Sequence, residues 1–310
     1  MKRTCARLYL LVCSLALALT AGAQSPGAGA RPDGRRIDLH DKLAHQLAQI
    51  AVEFDGLMGV AAKDLTTGET FQVRPNAVFP QASSIKIPIL VELFRQAQAG
   101  TLRLEERVEV KRAQTAGGSG VLQHFGDASS AISLRDLAVL MIVLSDNTAT
   151  NILIDRVGMA SVNNTLERLG LAQTRLQRRM MDTEAQRANR ENLSTPQQMA
   201  TLLELLHGGK LLDAAHTAAA IEILSYRKSS PLRRGLPESV VLADKPGGID
   251  GVRCDSGIAL LAGRPYVISV MTTYVGDGEA AEHAISDVSR RVFAYFERLA
   301  RSNADGARLP

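Results

Sequence analysis

The hydrophobic period of this 310-residue chain changes twice along its length, and the order of those changes restricts the fold more than any other feature. From Ile37 to Phe54 the apolar residues Leu39, Leu43, Leu47, Ile50, Ala51 and Phe54 recur at helical spacing. Two strand-like runs follow, "GLMGVAAKDL" and "TFQVRP", around "TTGE" with Gly68 in the turn, which predicts a hairpin. The middle of the chain is helical. "SLRDLAVLMIVL" (133–144) combines a serine cap with an almost wholly apolar body, the pattern of a buried helix, and 149–157 and 196–206 continue the helical period. Strand-like runs then return in "VVLADKPG", "SGIALLA" and "YVISVMTTYV", before a last amphipathic helix from about Glu282 to Arg301. The fold expected is α/β (α+β): an antiparallel sheet flanked by helices and built from both chain ends, with an inserted all-α lobe. The crevice between the lobes is the natural place for a site. No internal repeat is present.

The ends read differently from the middle. Lys2, Arg3 and Arg7 precede an apolar run from Leu8 to Leu19, and Ala21-Gly22-Ala23 offers a small-residue cleavage site, so residues 1–23 read as a secretory signal peptide. "QSPGAGARPDGR" (24–35) reads as a flexible linker. The folded domain is expected over 36–303, with an α/β lobe (36–82 and 226–303), a helical lobe (83–225) and a tail at 304–310. Net charge is +4, and the leader carries three positive residues and no acid, which leaves 4 − 3 = +1 for the mature chain. No basic run remains that would attract nucleic acid. Cys5 and Cys13 leave with the leader and Cys254 stands alone, so an exported chain must hold together by packing, and a buried thiol is expected at Cys254. The six histidines show no metal-ligand spacing. No cofactor or metal is expected, no membrane attachment after cleavage, and a monomer in the periplasm or outside the cell.

Ser83 stands three residues before Lys86 in "QASSIKIPIL", and the pair reads either as helix-capping chemistry or as a nucleophile with its base. A Ser-x-x-Lys match is weak alone: Ser225-Tyr226-Arg227-Lys228 matches too, in a polar stretch without sign of chemistry. "SDNTATN" from Ser145 could be turn chemistry between helices, and "ADKPGG" (243–248) a strand breaking into a turn. All three in this order are harder to dismiss.

"ASSIKIP", "SDNTATNILI" and "ADKPGG" together resemble the three signature motifs of class A β-lactamases and related penicillin-binding serine acyltransferases. The surroundings are similar too: "TRLQR" (174–178), "STPQQMA" (194–200) and "VRCDSGIAL" (252–260). The resemblance implies a catalytic set of Ser83, Lys86, Ser145 and Lys245. Lys86 would reach the Ser83 hydroxyl directly, its pKa lowered by burial and by Lys245. Ser145 would relay a proton to the departing ring nitrogen, held in place by Lys245, and Asn147 would bond both Lys86 and the substrate amide. The N–H groups of Ser83 and Gly248 would form an oxyanion hole, with Gly247 and Gly248 letting the strand approach the substrate. The implied substrate is a small-molecule β-lactam or a peptidoglycan-like acyl compound.

Two departures stand out. Met180 occupies the place of the glutamate that activates the deacylating water, leaving Asp182 or Glu184 as substitutes or as solvated loop residues. Pro246 replaces the usual threonine, so Arg253 is the candidate anchor for a substrate carboxylate. "GGSG" (117–120) lacks the Lys-Ser or Lys-Thr of a phosphate loop and reads as a flexible rim of the crevice. The function expected is an exported serine β-lactamase-like hydrolase. The alternatives are a penicillin-binding carboxypeptidase, transpeptidase or esterase with slow deacylation, and a non-catalytic sensor of cell-wall fragments.

Overall fold

A computed structural model describes residues 34–125 and 131–309. The proposed leader, 1–23, and nearly all of the 24–35 linker lie outside the described residues. Where the description begins, the linker reading fails at its last two residues: α1 (Gly34–Glu53) already includes Gly34 and Arg35.

Strands β1 (Leu57–Asp64) and β2 (Thr70–Val73) form the expected hairpin. β3 (Phe79–Pro80) leads into a 3-10 turn at Ala82–Ile85 and then α2 (Lys86–Gln98). β4 (Arg107–Glu109) pairs with β5 (Ala131–Ser133). α3 (Leu134–Val143) follows, capped by the Ser133 hydroxyl, which accepts from the Asp136 N–H. α4 (Asn147–Val157), α5 (Met159–Arg168) and the short α6 (Thr183–Arg187) come next. β6 (Leu193–Ser194) pairs back on β3 before α7 (Pro196–His207), which starts on a Thr195 cap with proline in its first turn. α8 (Ala214–Ser225) and α9 (Pro231–Arg234) close the helical block. β7 (Val241–Ile249), β8 (Val252–Leu260), β9 (Tyr266–Thr273) and α10 (Gly278–Ala300) complete the chain.

The main sheet runs β2-β1-β9-β8-β7, antiparallel throughout. β1 sits beside β9, so the N-terminal hairpin and the C-terminal meander make one sheet, as the two changes of period require. Both faces are covered. Leu43, Leu47, Ile285, Val288, Val292 and Phe296 of α1 and α10 bury one face with Val60, Ile268 and Val270. Helices of the inserted block bury the other with Ala243, Ile258, Val267 and Met271. Alternate residues of each strand thus serve two cores. α10 starts several residues before the expected Glu282, because Asp277 caps it by accepting from the Glu279 and Ala280 N–H groups. The tail folds back on itself: Leu309 N–H donates to the Arg301 carbonyl at 2.7 Å. Among the described residues no helix is long and apolar enough to cross a membrane.

β7 is the edge strand, and its free side meets the 3-10 turn that carries Ser83. Gly247 makes that approach possible: a Cβ there would lie 2.6 Å from the Gln81 carbonyl and 2.8 Å from the Ser83 nitrogen. Gly248 is less constrained, since a Cβ would meet only the flexible Arg253 side chain at 3.3 Å.

Candidate active site

Neither serine of "ASSIK" caps a helix. The 3-10 turn begins after Gln81 and α2 after Ile85, both without a side-chain cap bond. Ser84 donates instead to the Lys245 carbonyl at 2.8 Å, tying the turn to β7. Ser83 accepts a hydrogen bond from the Ser145 hydroxyl at 2.8 Å. Because the turn is 3-10 rather than α, residues 83 and 86 eclipse one another and face the same way. Ala82, just before Ser83, is held at φ +42.

Ser145 reaches the crevice through a second strained residue, its own φ being +54 at the end of α3. The next residue holds that turn. Buried Asp146 accepts from Ala149, Val121 and Leu122 N–H groups at 2.9, 2.7 and 2.9 Å. The glycine-rich rim is therefore pinned rather than flexible. Gln123 donates to the Gly118 and Gly120 carbonyls, and Gly120 (φ +105) leaves no room for a Cβ against Asp146.

Lys86 is wholly buried and donates to the Ser145 carbonyl (2.7 Å), the Ser145 hydroxyl (2.9 Å) and Asn147 Oδ1 (3.1 Å). Its amine therefore reaches Ser83 through Ser145, not directly as the sequence suggested. Burial holds its pKa well below that of a free lysine, and the Lys245 charge lowers it further against an opposing pull from Asp146. A neutral amine fits the three partners. Two N–H groups serve the carbonyl and amide oxygens, which can only accept, and the lone pair can take the Ser145 hydrogen when that hydroxyl turns from Ser83. Asn147 is oriented by its Nδ2, which donates to the Gly117 carbonyl at 2.9 Å.

Lys245 is also buried, with a pKa lowered to about 8 chiefly by desolvation. It donates to the Pro246 carbonyl at 2.9 Å. Ser145 Oγ instead pairs with Lys86 and Ser83. Ser83, Ser145, Lys245, Gly247, Gly248 and Arg253 line one crevice of about 240 Å³. Arg253 is turned away from an open anchoring pose: Nη1 donates to the Ile249 and Val252 carbonyls, both at 2.8 Å, and Nε lies 3.4 Å from Glu282. Glu282 and its second partner Arg234, 2.5 Å away, also line the crevice and were missed by sequence reasoning. They arrive on α10 and α9, and their positions in the sequence carry no spacing that links them to the motifs. Cys254 is buried, its thiol donates to the Gln81 carbonyl at 3.0 Å, and burial pushes its pKa up to about 12, so it packs rather than reacts.

The segment from Arg178 to Asn192 lines an adjoining groove, where Met180, Met181 and Asp182 stand opposite Gly117 and Asn151. Arg178 grips Glu191 through two nitrogens at 2.9 and 3.0 Å, and Asn192 Oδ1 accepts from the Gln177 and Arg178 N–H groups. Met180 is buried, its N–H donating to Asn151 Oδ1 and its carbonyl accepting from Asn151 Nδ2. The Met181 thioether leans against Gly118 beside Asn147. Asp182 caps α6 by accepting from Ala185 N–H at 2.9 Å, and Glu184 is exposed. Among the described residues no group of three or more His, Cys, Asp or Glu side chains could hold a metal ion.

Comparison with known proteins places the chain as a whole. The model of the β-lactamase enzyme family matches residues 42–296. A β-lactamase of Streptomyces fradiae is 30% identical over 293 residues, covering 89% of this chain and 91% of the relative. The solved structure of the protein PBP-A superposes with a TM-score of 0.77 at 30% identity, over 83% of this chain and 96% of that one. An ancestral class A β-lactamase gives 0.76 at 29% identity, over 82% and 100%. A family model over most of the chain and a relative at 30% identity over nine-tenths of its length settle the kinship: the chain belongs to the β-lactamase enzyme family and is a class A-like serine β-lactamase.

Proposed function

We propose that Ser83 opens the β-lactam amide by forming an acyl-enzyme, and that deacylation is the slow half of the cycle. With Lys86 neutral, the two hydroxyls turn over before attack: the Ser145 hydrogen swings from Ser83 to the Lys86 lone pair, and the Ser83 hydroxyl then donates to Ser145 Oγ. As the Ser83 oxygen bonds to the carbonyl carbon, its proton passes to Ser145 while the Ser145 proton passes to Lys86. The Ser83 and Gly248 N–H groups receive the oxyanion. When the C–N bond breaks, Ser145 protonates the departing nitrogen and is reprotonated by Lys86. Lys245 adds positive charge at the mouth of the crevice, Asn147 orients the substrate's side-chain amide, and Arg253 contributes to anchoring its carboxylate once released from Glu282.

The observation that carries the slow second step is the state of the acids on the 178–192 segment. Glu191 is bound to Arg178, Asp182 is spent on a helix cap, Glu184 faces solvent, and the side chain beside Gly118 and Asn147 is the Met181 thioether. Export, with loss of residues 1–23, and action as a monomer complete the proposal. Its test is an intact-mass time course with a penicillin. A Ser83 ester that forms faster than it decays supports it, and consumption of substrate without any such ester counts against it.

A further inference from the structure

Behind Lys245, on the opposite face of the sheet, lies a buried charge cluster that acyl transfer leaves unused. Asp244 and Pro246 of β7 pair with Gly257 and Asp255 of β8, so the two aspartates are diagonal neighbours on one face. Both are buried. Gly257 makes the room, since a Cβ there would lie 2.7 Å from the Asp244 Cβ. Asp244 Oδ1 is 3.0 Å from Lys228 Nζ, and Asp255 Oδ2 accepts from the Leu232 N–H at 2.9 Å. The other oxygen of each, Asp244 Oδ2 and Asp255 Oδ1, is buried without a partner.

Lys228, the lysine of the second Ser-x-x-Lys match, cannot fill either place. Its ammonium also donates to the Leu224 and Tyr226 carbonyls at 2.6 and 2.9 Å, which together with Asp244 uses all three of its hydrogens. The other groups facing the pair are Lys245 of β7 and the Cys254 thiol of β8. Arg233 of α9 donates to the Val240 carbonyl, and the Tyr266 hydroxyl of β9 is itself unpartnered. From α10, Ser286 and Ser289 donate to the Pro231 and Leu232 carbonyls. Two unpartnered carboxylate oxygens on neighbouring strands need one hydrogen between them.

We propose that Asp255 is a positioning residue that keeps its proton at neutral pH and donates it to Asp244 Oδ2, locking the Lys228–Asp244–Asp255 chain behind Lys245. Asp255 then adds no negative charge beneath Lys245, whose pKa an ionised Asp255 would raise. The direction of the Asp255 shift agrees: burial, and then the charge of Asp244, hold its pKa well above the ordinary carboxyl value. The cluster is a fixed neutral support for the strand that carries Lys245 and the oxyanion-hole glycine. It rests on the acyl-enzyme reading only through the pH profile below; the infrared and stability readouts need no activity.

The direct test is infrared difference spectroscopy of the folded wild-type protein at neutral pH. A protonated-carboxyl band that moves on 13C-aspartate labelling and vanishes in Asp255→Asn is expected; a wild type without the band overturns the proposal and leaves an ionised pair bridged by water. Asp255→Asn supplies the hydrogen permanently, so it should fold. Above the ordinary carboxyl range of about 4, the unfolded chain releases a proton that native Asp255 keeps, so this residue makes wild-type stability fall as pH rises. The variant lacks that decline, and its advantage should grow with pH. The alkaline limb of acylation should stay in place. If Asp255 were ionised, the same substitution would remove a negative charge near Lys245 and move that limb down by on the order of one unit, a result that contradicts the proposal even where the variant is less stable.

Discussion

The Ser83 crevice and the adjoining groove along 178–192 are built to different standards. On the acylation side Lys86, Ser145, Ser83 and Asn147 form a continuous chain of bonds between 2.7 and 3.1 Å, anchored by buried Asp146 and by two residues held at positive φ. On the 178–192 side the acids are committed elsewhere and the surface toward Asn147 is methionine. Both are held by side-chain hydrogen bonds. The difference teaches that order alone does not make a catalytic half-site. What separates them is whether a titratable group is placed with its lone pair or proton facing the crevice.

The largest effects belong to the well-built half. Ser83→Ala should abolish the covalent adduct and lower β-lactam consumption by about 10⁴-fold or more; an adduct that survives would place the nucleophile elsewhere. Lys86→Ala should slow acylation by about 10² to 10⁴-fold, the usual worth of a general base, measured as the rate of adduct formation. Met180→Glu should act on the poorly equipped half, raising deacylation by about 10²-fold while leaving acylation nearly unchanged. Equal gains in both steps would erase the contrast between the halves. A smaller effect concerns pH. Acylation should rise as Lys86 loses its proton and fall as Lys245 loses its charge near about 8; a flat profile across that range would remove Lys245 from the account. The smallest effect is Asp182→Ala, which should cost about 1 kcal/mol through the lost helix cap and leave the lifetime of the acyl-enzyme unaltered. A longer lifetime would return Asp182 to the role of water base.

Reading from sequence succeeded where a pattern is local or periodic. Two changes of period located the strands of the sheet, and Ser133 and Pro196 marked helix starts by chemistry that does not depend on tertiary context. It failed where contact is set by distant chain. Ser83 and Lys86 are neighbours in sequence, yet the bond between their functions passes through Ser145, whose left-handed backbone cannot be read from "LSDN". Arg253 was legible as an arginine on the right strand, whereas Glu282, which holds it, comes from the N-terminal part of an amphipathic helix like any other surface acid. Lys228 was dismissed because its motif lacks an apolar context; its burial comes from the aspartate that β7 brings to it. The end of the linker was misread because glycine and arginines carry little helical signal, though α1 begins there.

The unequal crevice is tested most directly by following the mass of the protein after mixing with excess penicillin, at intervals from milliseconds to hours. The account predicts a single adduct on Ser83 that reaches full occupancy early and decays slowly, so that most of the protein is acylated throughout turnover. Rapid consumption of penicillin with the protein remaining at its free mass would contradict it, because the 178–192 segment would then be supplying a water base after all.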